Sequence, residues 1–360
     1  MRKHILHRLA SDAFSPVHLI GVMLAIACGL AGCGGAASEA DKSADAGVMK
    51  APPSASSSAA FSIDDLHKAL RARNPQYTGK ANVESRDGGM EPFFIDLSNA
   101  QITDLSPLKG LPLGLLRLDR NPVTDLSPLK DMPLQGLYLD DTSVSDLSPL
   151  AGSKTLLELA LSRTKVSDLS ALKGSPLKAL YLEETPVTDL SPLAGSQLQV
   201  LHLSKTGVSN LTPIIDAPLQ QLNLLGSRVA DLRPCAAMPL KLLWLNSCPV
   251  SDLSPLASVH SLESLTLYNT LVTDLSPLAN LRLRRLHIGN TQVTDLSPLA
   301  KMELERLIFH PGKITKGLDI VRNGMPAMRE LGLEFHDTTA GDLMSPREFW
   351  RRFDAGEFRK

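Results

Sequence analysis

The five-residue sequence Asp-Leu-Ser-Pro-Leu recurs along the chain and decides its fold. It occurs seven times, at Asp104–Leu108, Asp125–Leu129, Asp146–Leu150, Asp189–Leu193, Asp252–Leu256, Asp274–Leu278 and Asp295–Leu299. Three looser copies fill the gaps, at Asp168–Leu172, Asn210–Ile214 and Asp231–Cys235. Each copy follows the previous one by 21 residues, or by 22 at Asp168 and Asp274. A fixed period of this length predicts a solenoid of stacked repeats.

The repeat between residues 134 and 150 shows the full pattern, L-x-x-L-x-L-x-x-T-x-V-x-D-L-S-P-L. Its L-x-L portion alternates as a strand does, so successive strands are expected to pair in parallel. Ser148 and Pro149 are predicted to open a short 3-10 turn, with the serine hydroxyl as the N-cap and the proline at the first position. The side chains expected to point into the core are Leu137, Leu139, Val144, Leu147 and Leu150.

This pattern resembles the leucine-rich repeat, L-x-x-L-x-L-x-x-N-x-L, and especially the short variant of bacterial internalin-type surface proteins. The resemblance covers residues 95–316 in about ten copies. It implies an α/β fold, a right-handed leucine-rich-repeat solenoid with a parallel β-sheet on the concave face, short 3-10 turns on the convex face and helical end caps. One position departs from the family: Asn121 keeps the family's asparagine, whereas most repeats have threonine, as at Thr142. The threonine hydroxyl is expected to satisfy only part of what asparagine does.

Composition narrows the class of partner. Hydrophobic residues make up 43% of the chain and aromatic residues only 4%, which suits a core of thin stacked leucine layers. The formal net charge of −1 provides no basic footprint for nucleic acid, so a nucleic-acid partner is not expected. The chain is expected to be monomeric.

The N-terminus has the pattern of an export signal. Arg2, Lys3 and Arg8 precede an apolar run from Leu19 to Ala31, and small residues lead up to Cys33. The last four residues of this pattern resemble the lipobox of bacterial lipoproteins, which implies cleavage before Cys33 and attachment of lipid to its sulfur. The alternative is an ordinary signal peptide with an incidental cysteine. A transmembrane helix is disfavoured because the run falls short of the ~20 residues that a bilayer requires.

The organisation follows from these signals. Residues 1–33 are predicted to be the lipoprotein signal peptide, 34–60 a disordered Ala/Ser-rich tether, 61–94 an N-terminal cap, 95–316 the repeats, and 317–360 a degenerate last repeat with a C-terminal helical cap. This arrangement places the chain in the bacterial cell envelope, held to the membrane only by its N-terminal lipid. The absence of an acidic residue at Gly34 favours the outer membrane over the inner one.

The two caps have their own sequence signals. Ser62 is expected to cap a helix that ends before Asn74, and a turn at Arg86–Gly89 is expected to join two strands. Ser345 followed by Pro346 opens a second helix, whose large aromatic side chains are expected to cover the last coil. The alternative for this second helix is an exposed partner-binding surface.

The residues that could form a chemical site are better explained as structural residues of the repeat. The aspartates of the repeat could gather a cation, but hydrogen bonding to the backbone of their own turns is favoured, because Asn210 interrupts the series without disturbing the period. Cys235 and Cys248 read as small buried side chains, with a disulfide as the alternative. No phosphate loop, serine elbow or zinc spacing occurs, so neither a catalytic residue, a metal site nor a cofactor is predicted, and the protein is not expected to be an enzyme.

The functional prediction rests on the positions whose residue type is not fixed by the repeat. The residue between the two strand leucines, and the residue two positions later, should face the concave surface. Three of the four tyrosines and one of the two tryptophans fall in these positions, and both residue types are enriched at binding hot spots. The predicted function is recognition of a protein or peptide, with a structural envelope spacer as the alternative. The predicted contact residues are Arg117, Tyr138, Tyr181, His202, Trp244, Tyr268 and His287.

Charge refines this prediction. Residues of alternating sign crowd the first half of the array, from Arg120 to Lys205, which suits a protein partner better than an anionic polymer. A basic corner of Arg285, His287 and Arg306 could bind an acidic group. The competing interpretation of this corner is a solvated rim of charges.

Overall fold

A computed structural model describes residues 61–85, 92–333 and 343–358. The predicted signal peptide with Cys33, the tether and the turn at residues 86–89 lie outside the described residues. Helix α1 spans Ile63–Arg73, α2 spans Leu318–Asn323 and α3 spans Pro346–Asp354.

Thirteen strands of the described chain form one sheet in sequence order. β1 and β2 are antiparallel, and each later strand pairs in parallel with the strand before it. The strands are β1 Asn82–Ser85, β2 Pro92–Asp96, β3 Leu115–Arg117, β4 Gly136–Tyr138, β5 Glu158–Ala160, β6 Ala179–Tyr181, β7 Val200–His202, β8 Gln221–Asn223, β9 Leu242–Trp244, β10 Ser264–Thr266, β11 Arg285–His287, β12 Arg306–Ile308 and β13 Glu330–Gly332. The predicted solenoid with a parallel sheet is therefore confirmed.

Each coil returns to the sheet through a short 3-10 turn, which is formed by the last residues of the repeated sequence in every coil except that of Pro311–Lys313. The turns are Ser106–Leu108, Ser127–Leu129, Ser148–Leu150, Ser170–Leu172, Ser191–Leu193, Thr212–Ile214, Arg233–Ala237, Ser254–Ser258, Ser276–Leu278, Ser297–Leu299 and Pro311–Lys313. A coil of 21 or 22 residues has no room for a longer helix between successive strands.

The core is a stack of aliphatic layers. The five side chains predicted to point inward from one repeat are all buried, with Leu137, Leu139 and Val144 at 0% exposure. Each such leucine contributes about 1.5–3 kcal/mol through burial of its apolar surface, and a coil cannot bury it without its neighbours. The sheet therefore depends on the stack rather than on any single repeat.

The aspartate of the repeat, and not the serine, caps the turn. The backbone N–H of Ser148 donates to Oδ1 of Asp146 at 2.8 Å, and its hydroxyl donates to Oδ2 at 2.7 Å. The predicted serine N-cap is wrong: the turn begins at Ser148 itself, and its hydroxyl makes no hydrogen bond to the N–H groups of the turn. The aspartate two residues before the serine accepts hydrogen bonds from both the backbone N–H and the hydroxyl of that serine. The predicted structural role of the aspartates is confirmed at this turn and recurs at Asp125 and Asp252.

The asparagine-to-threonine exchange has the predicted consequence. Asn121 accepts from the N–H groups of Ala100 and Ile102 and donates to the carbonyls of Leu97 and Leu118, all at 2.8–3.0 Å. Thr142 makes one such bond, from its hydroxyl to the carbonyl of its own coil's Leu139 at 2.7 Å. Asparagine therefore ties two coils together, whereas threonine serves only its own coil.

Both ends of the described solenoid are covered. The side chain of Ser62 caps α1 as predicted, and Leu66 and Leu70 of α1 are buried in the core. At the other end, Phe349 of α3 is 0% exposed and stacks on Phe309 with ring centroids 5.6 Å apart. The prediction that α3 covers the last coil is confirmed, and the alternative of an exposed helix is not.

The two cysteines of the repeats are free and buried. Cys248 takes the place of the threonine and donates from Sγ to the carbonyl of Leu224 at 2.9 Å. Burial raises the pKa of Cys235 to about 12, so its thiol stays protonated and unreactive. Both cysteines serve as core side chains, as predicted.

Candidate functional site: the concave face

Three columns of side chains cover the concave face, because successive coils place equivalent residues side by side. The first and third residues of each strand supply the first and second columns, and the residue two positions after the strand supplies the third. The register is direct: Tyr138 pairs with Ala160, and Thr266 pairs with His287. A side chain on this face therefore contacts its equivalents in the neighbouring coils.

The part of the face formed by β4–β7, called here the closed half, is packed against itself. Tyr138, Ala160, Ala179, Tyr181 and Val200 form a second apolar cluster separate from the main core. Tyr181 is 0% exposed. Small first-column residues make this possible: a Cβ at Gly136 would lie 3.3 Å from the hydroxyl oxygen of Tyr138, so the tyrosine ring lies back over the glycine.

Buried carboxyl groups accompany these tyrosines. Glu158 is 3% exposed, and its carboxyl accepts a hydrogen bond from Tyr138, whereas its Oε1 has no partner among the described residues. Burial raises the pKa of Glu158 to about 7. Burial, together with the nearby charge of Asp119, also raises the pKa of Asp140 to about 7. Both carboxyls are therefore poised to change charge near neutral pH.

Glu183 behaves in the opposite way. Burial opposes its ionisation, but hydrogen bonds from Nδ1 of His202 at 2.8 Å and from the hydroxyl of Ser162 at 2.5 Å hold its pKa at about 2. His202 is itself only 3% exposed, and its ring meets the ring of Tyr181 edge-on at 5.0 Å. This group holds β5, β6 and β7 together through side chains.

Arg117 occupies the margin of the closed half. Its guanidinium donates to Oδ2 of Asp119 at 3.1 Å and lies 5.6 Å from the ring centroid of Tyr138. Asp119 also accepts from the backbone N–H of Asp140 at 3.1 Å. The arginine therefore balances part of the acidic charge on this half of the face.

The part formed by β8–β12, called here the open half, presents side chains to solvent. Trp244 and Tyr268 are half-buried, and the ring of Trp244 reaches the ring of His202 at 6.0 Å. His287 is 3% exposed, and burial lowers its pKa to about 4, so its imidazole is neutral. Tyr268 packs beside it, with ring centroids 5.3 Å apart.

A row of residues with left-handed backbone conformation, called here the edge ladder, runs along the edge where the strands end. Successive members of this ladder are bonded: Arg163 to Asp141 at 2.5 and 2.8 Å, and Lys205 to Glu184 at 2.9 Å. The residues with φ between 51° and 58° are Asn99, Arg120, Asp141, Arg163, Glu184, Lys205, Ser247, Asn269 and Asn290. The alternating charges noted in the sequence thus form a row of exposed ion pairs. Such exposed pairs contribute little to stability.

The structure separates the seven predicted contact residues into two groups. Arg117, Trp244 and Tyr268 keep part of their surface accessible, whereas Tyr181, His202 and His287 are 0–3% exposed and Tyr138 is 8% exposed. Sequence reasoning did not recognise the first column as a set: it named Arg285 and Arg306 only as part of a basic corner, and it missed Glu158. The strand alternation that identified the second column applies equally two residues earlier, so the signal for the first column was present.

Among the described residues, no group of three or more histidine, cysteine, aspartate or glutamate side chains is arranged to hold a metal ion. Within the same parts of the chain, no helix combines the length and apolar character needed to cross a bilayer.

The regular coils, the parallel sheet and the buried leucine ladder define a leucine-rich-repeat solenoid. The family profile described as Leucine Rich repeats (2 copies) matches residues 240–280 and 260–301. No curated protein matches the sequence.

Solved structures share the fold. An internalin (inlF) from Listeria monocytogenes is 23% identical, with a TM-score of 0.60 over 77% of this chain and 92% of that one. A plant peptide hormone receptor, RGFR1 in complex with RGF2, is 17% identical, with a TM-score of 0.51 over 71% of this chain and 48% of the receptor chain. The ectodomain of a membrane receptor kinase from Arabidopsis thaliana, in complex with CASPARIAN STRIP INTEGRITY FACTOR 2, is 17% identical, with a TM-score of 0.50 over 64% of this chain and 31% of that one. The predicted resemblance to internalin-type repeats is confirmed at the level of the fold.

Proposed function

We propose that this protein is an exported, lipid-anchored module that binds a protein or peptide partner through the open half of its concave face, without catalysis. The observation that carries the proposal is the contrast between the two halves. The closed half uses its tyrosines internally, whereas the open half leaves Trp244 and Tyr268 half-buried beside unpaired polar groups. Partly exposed aromatic side chains on a rigid sheet contribute strongly to binding because little conformational entropy is lost.

The likeness of fold to receptors solved with bound peptide supports this proposal. The extent of the face supports it too: the open half has five strands spaced by about 4.8 Å, which gives it the reach of a standard protein interface when the loops at its edges are included. The mixture of charges along the edge ladder suits a protein surface better than a polymer of one charge.

Capture from an envelope extract tests the binding function. The full-length chain with a C-terminal affinity tag, solubilised in mild detergent, is expected to retain a partner identifiable by mass spectrometry. Combined Trp244→Ala and Tyr268→Ala substitutions should release it. Leu271→Ala is the matched control, since this side chain is 60% exposed and lies outside the three concave columns. Release by the control as well would contradict the proposal.

The lipid anchor is tested separately. Cys33→Ser is expected to abolish labelling by a radioactive fatty acid and to move the protein from the membrane fraction to the soluble fraction. Labelling that persists in Cys33→Ser would refute lipid attachment at this cysteine. An unlabelled wild-type protein would favour an ordinary signal peptide.

A structural spacer is the second candidate, and the closed half favours it. Side chains that pack on one another across β4–β7 stiffen the sheet without offering a surface to a ligand. A spacer is expected to retain no specific partner, and shortening the repeat array by one coil should alter envelope properties in proportion to length. Partner loss caused by two point substitutions would exclude this candidate.

A further inference from the structure

Two neighbouring side chains of the open half have buried polar atoms without a partner among the described residues. They are Oγ1 of Thr266 on β10 and both ring nitrogens of His287 on β11. These residues pair directly in the sheet register, so their side chains lie next to each other in the second column. Buried polar atoms are nearly always hydrogen-bonded, and three adjacent exceptions indicate that a group is missing from the site.

The surroundings fix the imidazole in place. Gly289 lies beneath the ring: a Cβ at this position would come within 2.9 Å of Nε2 of His287 and 3.2 Å of Tyr268. Tyr268 packs beside the imidazole, and Trp244 pairs with Thr266 in the register on the other side. The polar atoms therefore belong to residues that adjoin Trp244 in the register and Tyr268 in the packing.

An unpaired arginine stands two residues before the histidine on the same strand face. Arg284 is bonded to Glu305, and Arg306 is bonded to Glu330. Arg285 is exposed and forms no hydrogen bond or salt bridge to a described residue. It lines a shallow cavity of about 160 Å³ in the first column, together with Leu242, Glu263, Ser264, Arg284 and Glu305.

Charge on the rest of the face favours this region for an anion, although Glu263 and Glu305 line the same cavity. The pKa of Glu305 is lowered by its hydrogen bond from Arg284 and by the charges of neighbouring arginines, Arg285 among them. Among the described residues, the carboxyl groups of the three columns, apart from Glu330, lie on the other side of β7, at Asp96, Asp119, Asp140, Glu158 and Glu183. An acidic ligand group is repelled by that half and attracted to the unpaired guanidinium of Arg285. A guanidinium binds a carboxylate with two parallel hydrogen bonds, which no other cation does as well.

We propose that Arg285, Thr266 and His287 form a contact site for an aspartate or glutamate side chain of the protein partner. The inference rests on the proposed function and specifies the chemistry of its open half. The guanidinium of Arg285 provides the charge, and the hydroxyl of Thr266 and one ring N–H of the neutral His287 donate hydrogen bonds. Trp244 and Tyr268 would then pack against the stem of the acidic side chain.

Peptide probes test this contact on the full-length protein by calorimetric titration. The probe is acetyl-Gly-Glu-Gly-amide, and its uncharged match is acetyl-Gly-Gln-Gly-amide. We expect the glutamate peptide to bind about tenfold more tightly, because hydrogen bonds from the protein to a charged carboxylate are stronger than those to a neutral amide. Arg285→Gln and Thr266→Val should each remove most of this preference.

Matched controls separate the site from general electrostatics. Arg228→Gln makes the same change of charge at an exposed position outside the three columns, and Thr273→Val makes the same change of shape on the convex side of the coil. Both should keep the preference for glutamate. Equal binding of the two peptides, or an equal loss in the Arg228→Gln control, would overturn the inference.

Two further outcomes are informative. A third peptide, acetyl-Gly-Gln-Gly with a free carboxyl terminus, would overturn the assignment to a side chain if it bound more tightly than the glutamate peptide. The capture experiment also compares the combined Trp244→Ala and Tyr268→Ala substitutions with Arg285→Gln and Thr266→Val. If only the aromatic substitutions release the partner, the binding function is supported and the carboxylate contact is contradicted. Loss of the partner in Arg285→Gln, but not in Arg228→Gln, would support both.

Discussion

The hydroxyl of Tyr138 donates a hydrogen bond to the carboxyl of Glu158, which is only 3% exposed on the concave face. The ring that carries this hydroxyl lies back over Gly136, and the bond spans β4 and β5. A carboxyl in this position is held by a phenol rather than by a cation. Burial disfavours the ionised form of this carboxyl more strongly than the hydrogen bond from the phenol favours it, so the pKa of Glu158 is raised.

The burial of Glu158 predicts a contribution to stability that falls as pH rises. The folded-state pKa of Glu158 is raised from 4.5 to about 7 by burial, so its proton stabilises the fold fully below pH 4.5. That contribution is lost as pH rises from 4.5 to 7, and it amounts to about 3 kcal/mol at about 1.4 kcal/mol per pKa unit. Glu158→Gln, which cannot ionise, should be more stable than the wild type at pH 8 and equal to it at pH 4.5 in urea unfolding.

The comparison between the two proteins isolates this one group. His287 contributes stability of the opposite dependence, because its pKa is lowered to about 4 and protonation of the unfolded state below pH 6.5 costs stability. Since His287 is present in both proteins, its contribution cancels in the difference. A difference that does not change between pH 4.5 and pH 8 would contradict the assigned pKa.

The asparagine at position 121 predicts an unequal response to two substitutions. Asn121→Ala leaves buried backbone groups of two coils without partners and should cost about 2–4 kcal/mol. Asn121→Thr should cost about half as much, since a threonine hydroxyl can bond the carbonyl of its own coil, as Thr142 does. Thr142→Ala should cost about 1 kcal/mol, and equal losses in all three variants would contradict the distinction between asparagine and threonine.

The aspartate cap predicts a modest and local effect. Asp252→Ala removes the acceptor of the backbone N–H and the hydroxyl of Ser254, both at 2.8 Å, and should lower the melting temperature slightly. Asp252→Asn should recover most of this loss, since an amide oxygen accepts from the same N–H, as Asn210 does from Thr212 at 2.9 Å. Titration with calcium should leave the melting temperature of both variants and of the wild type unchanged; a shift abolished by Asp252→Ala would contradict the structural role.

The C-terminal cap predicts local opening rather than global unfolding. Phe349→Ala removes a fully buried ring that stacks on Phe309 and should cost about 3–5 kcal/mol in the terminal coil. Because coils contact only their neighbours, amide hydrogen exchange should accelerate in β12 and β13 and stay unchanged in β3–β6. Ser345→Ala, which removes only the helix cap, should give a smaller effect in the same region. Uniform acceleration along the whole array would contradict a local cap.

The sequence period was sufficient to predict the coil, the parallel sheet and the inward residues, because those features repeat in every unit. It could not predict which half of the concave face is closed. That depends on combinations across coils, such as Gly136 and Ala179 leaving space for Tyr138 and Tyr181, and such combinations occur once. The serine cap was mistaken for a related reason: Asp146 and Ser148 both suit a turn, and only their geometry shows which one accepts.

The candidate site also depends on combinations of residues across coils. Aromatic enrichment in the second and third columns directs attention to the concave face, but residue type alone cannot distinguish the buried Tyr181 from the half-buried Trp244. The partners of the basic corner are equally invisible in the sequence. Arg306 is paired with Glu330, a residue of the next coil, whereas Arg285 has no such neighbour within bonding distance.

The open half of the concave face is the proposed binding surface for the partner. Hydrogen–deuterium exchange of the full-length protein, with and without the captured partner, tests this claim most directly. We predict slower exchange in the strands and strand-following residues of β8–β12, with no change in β3–β6 or in the convex 3-10 turns. Protection confined to the convex turns or to the end caps would contradict it.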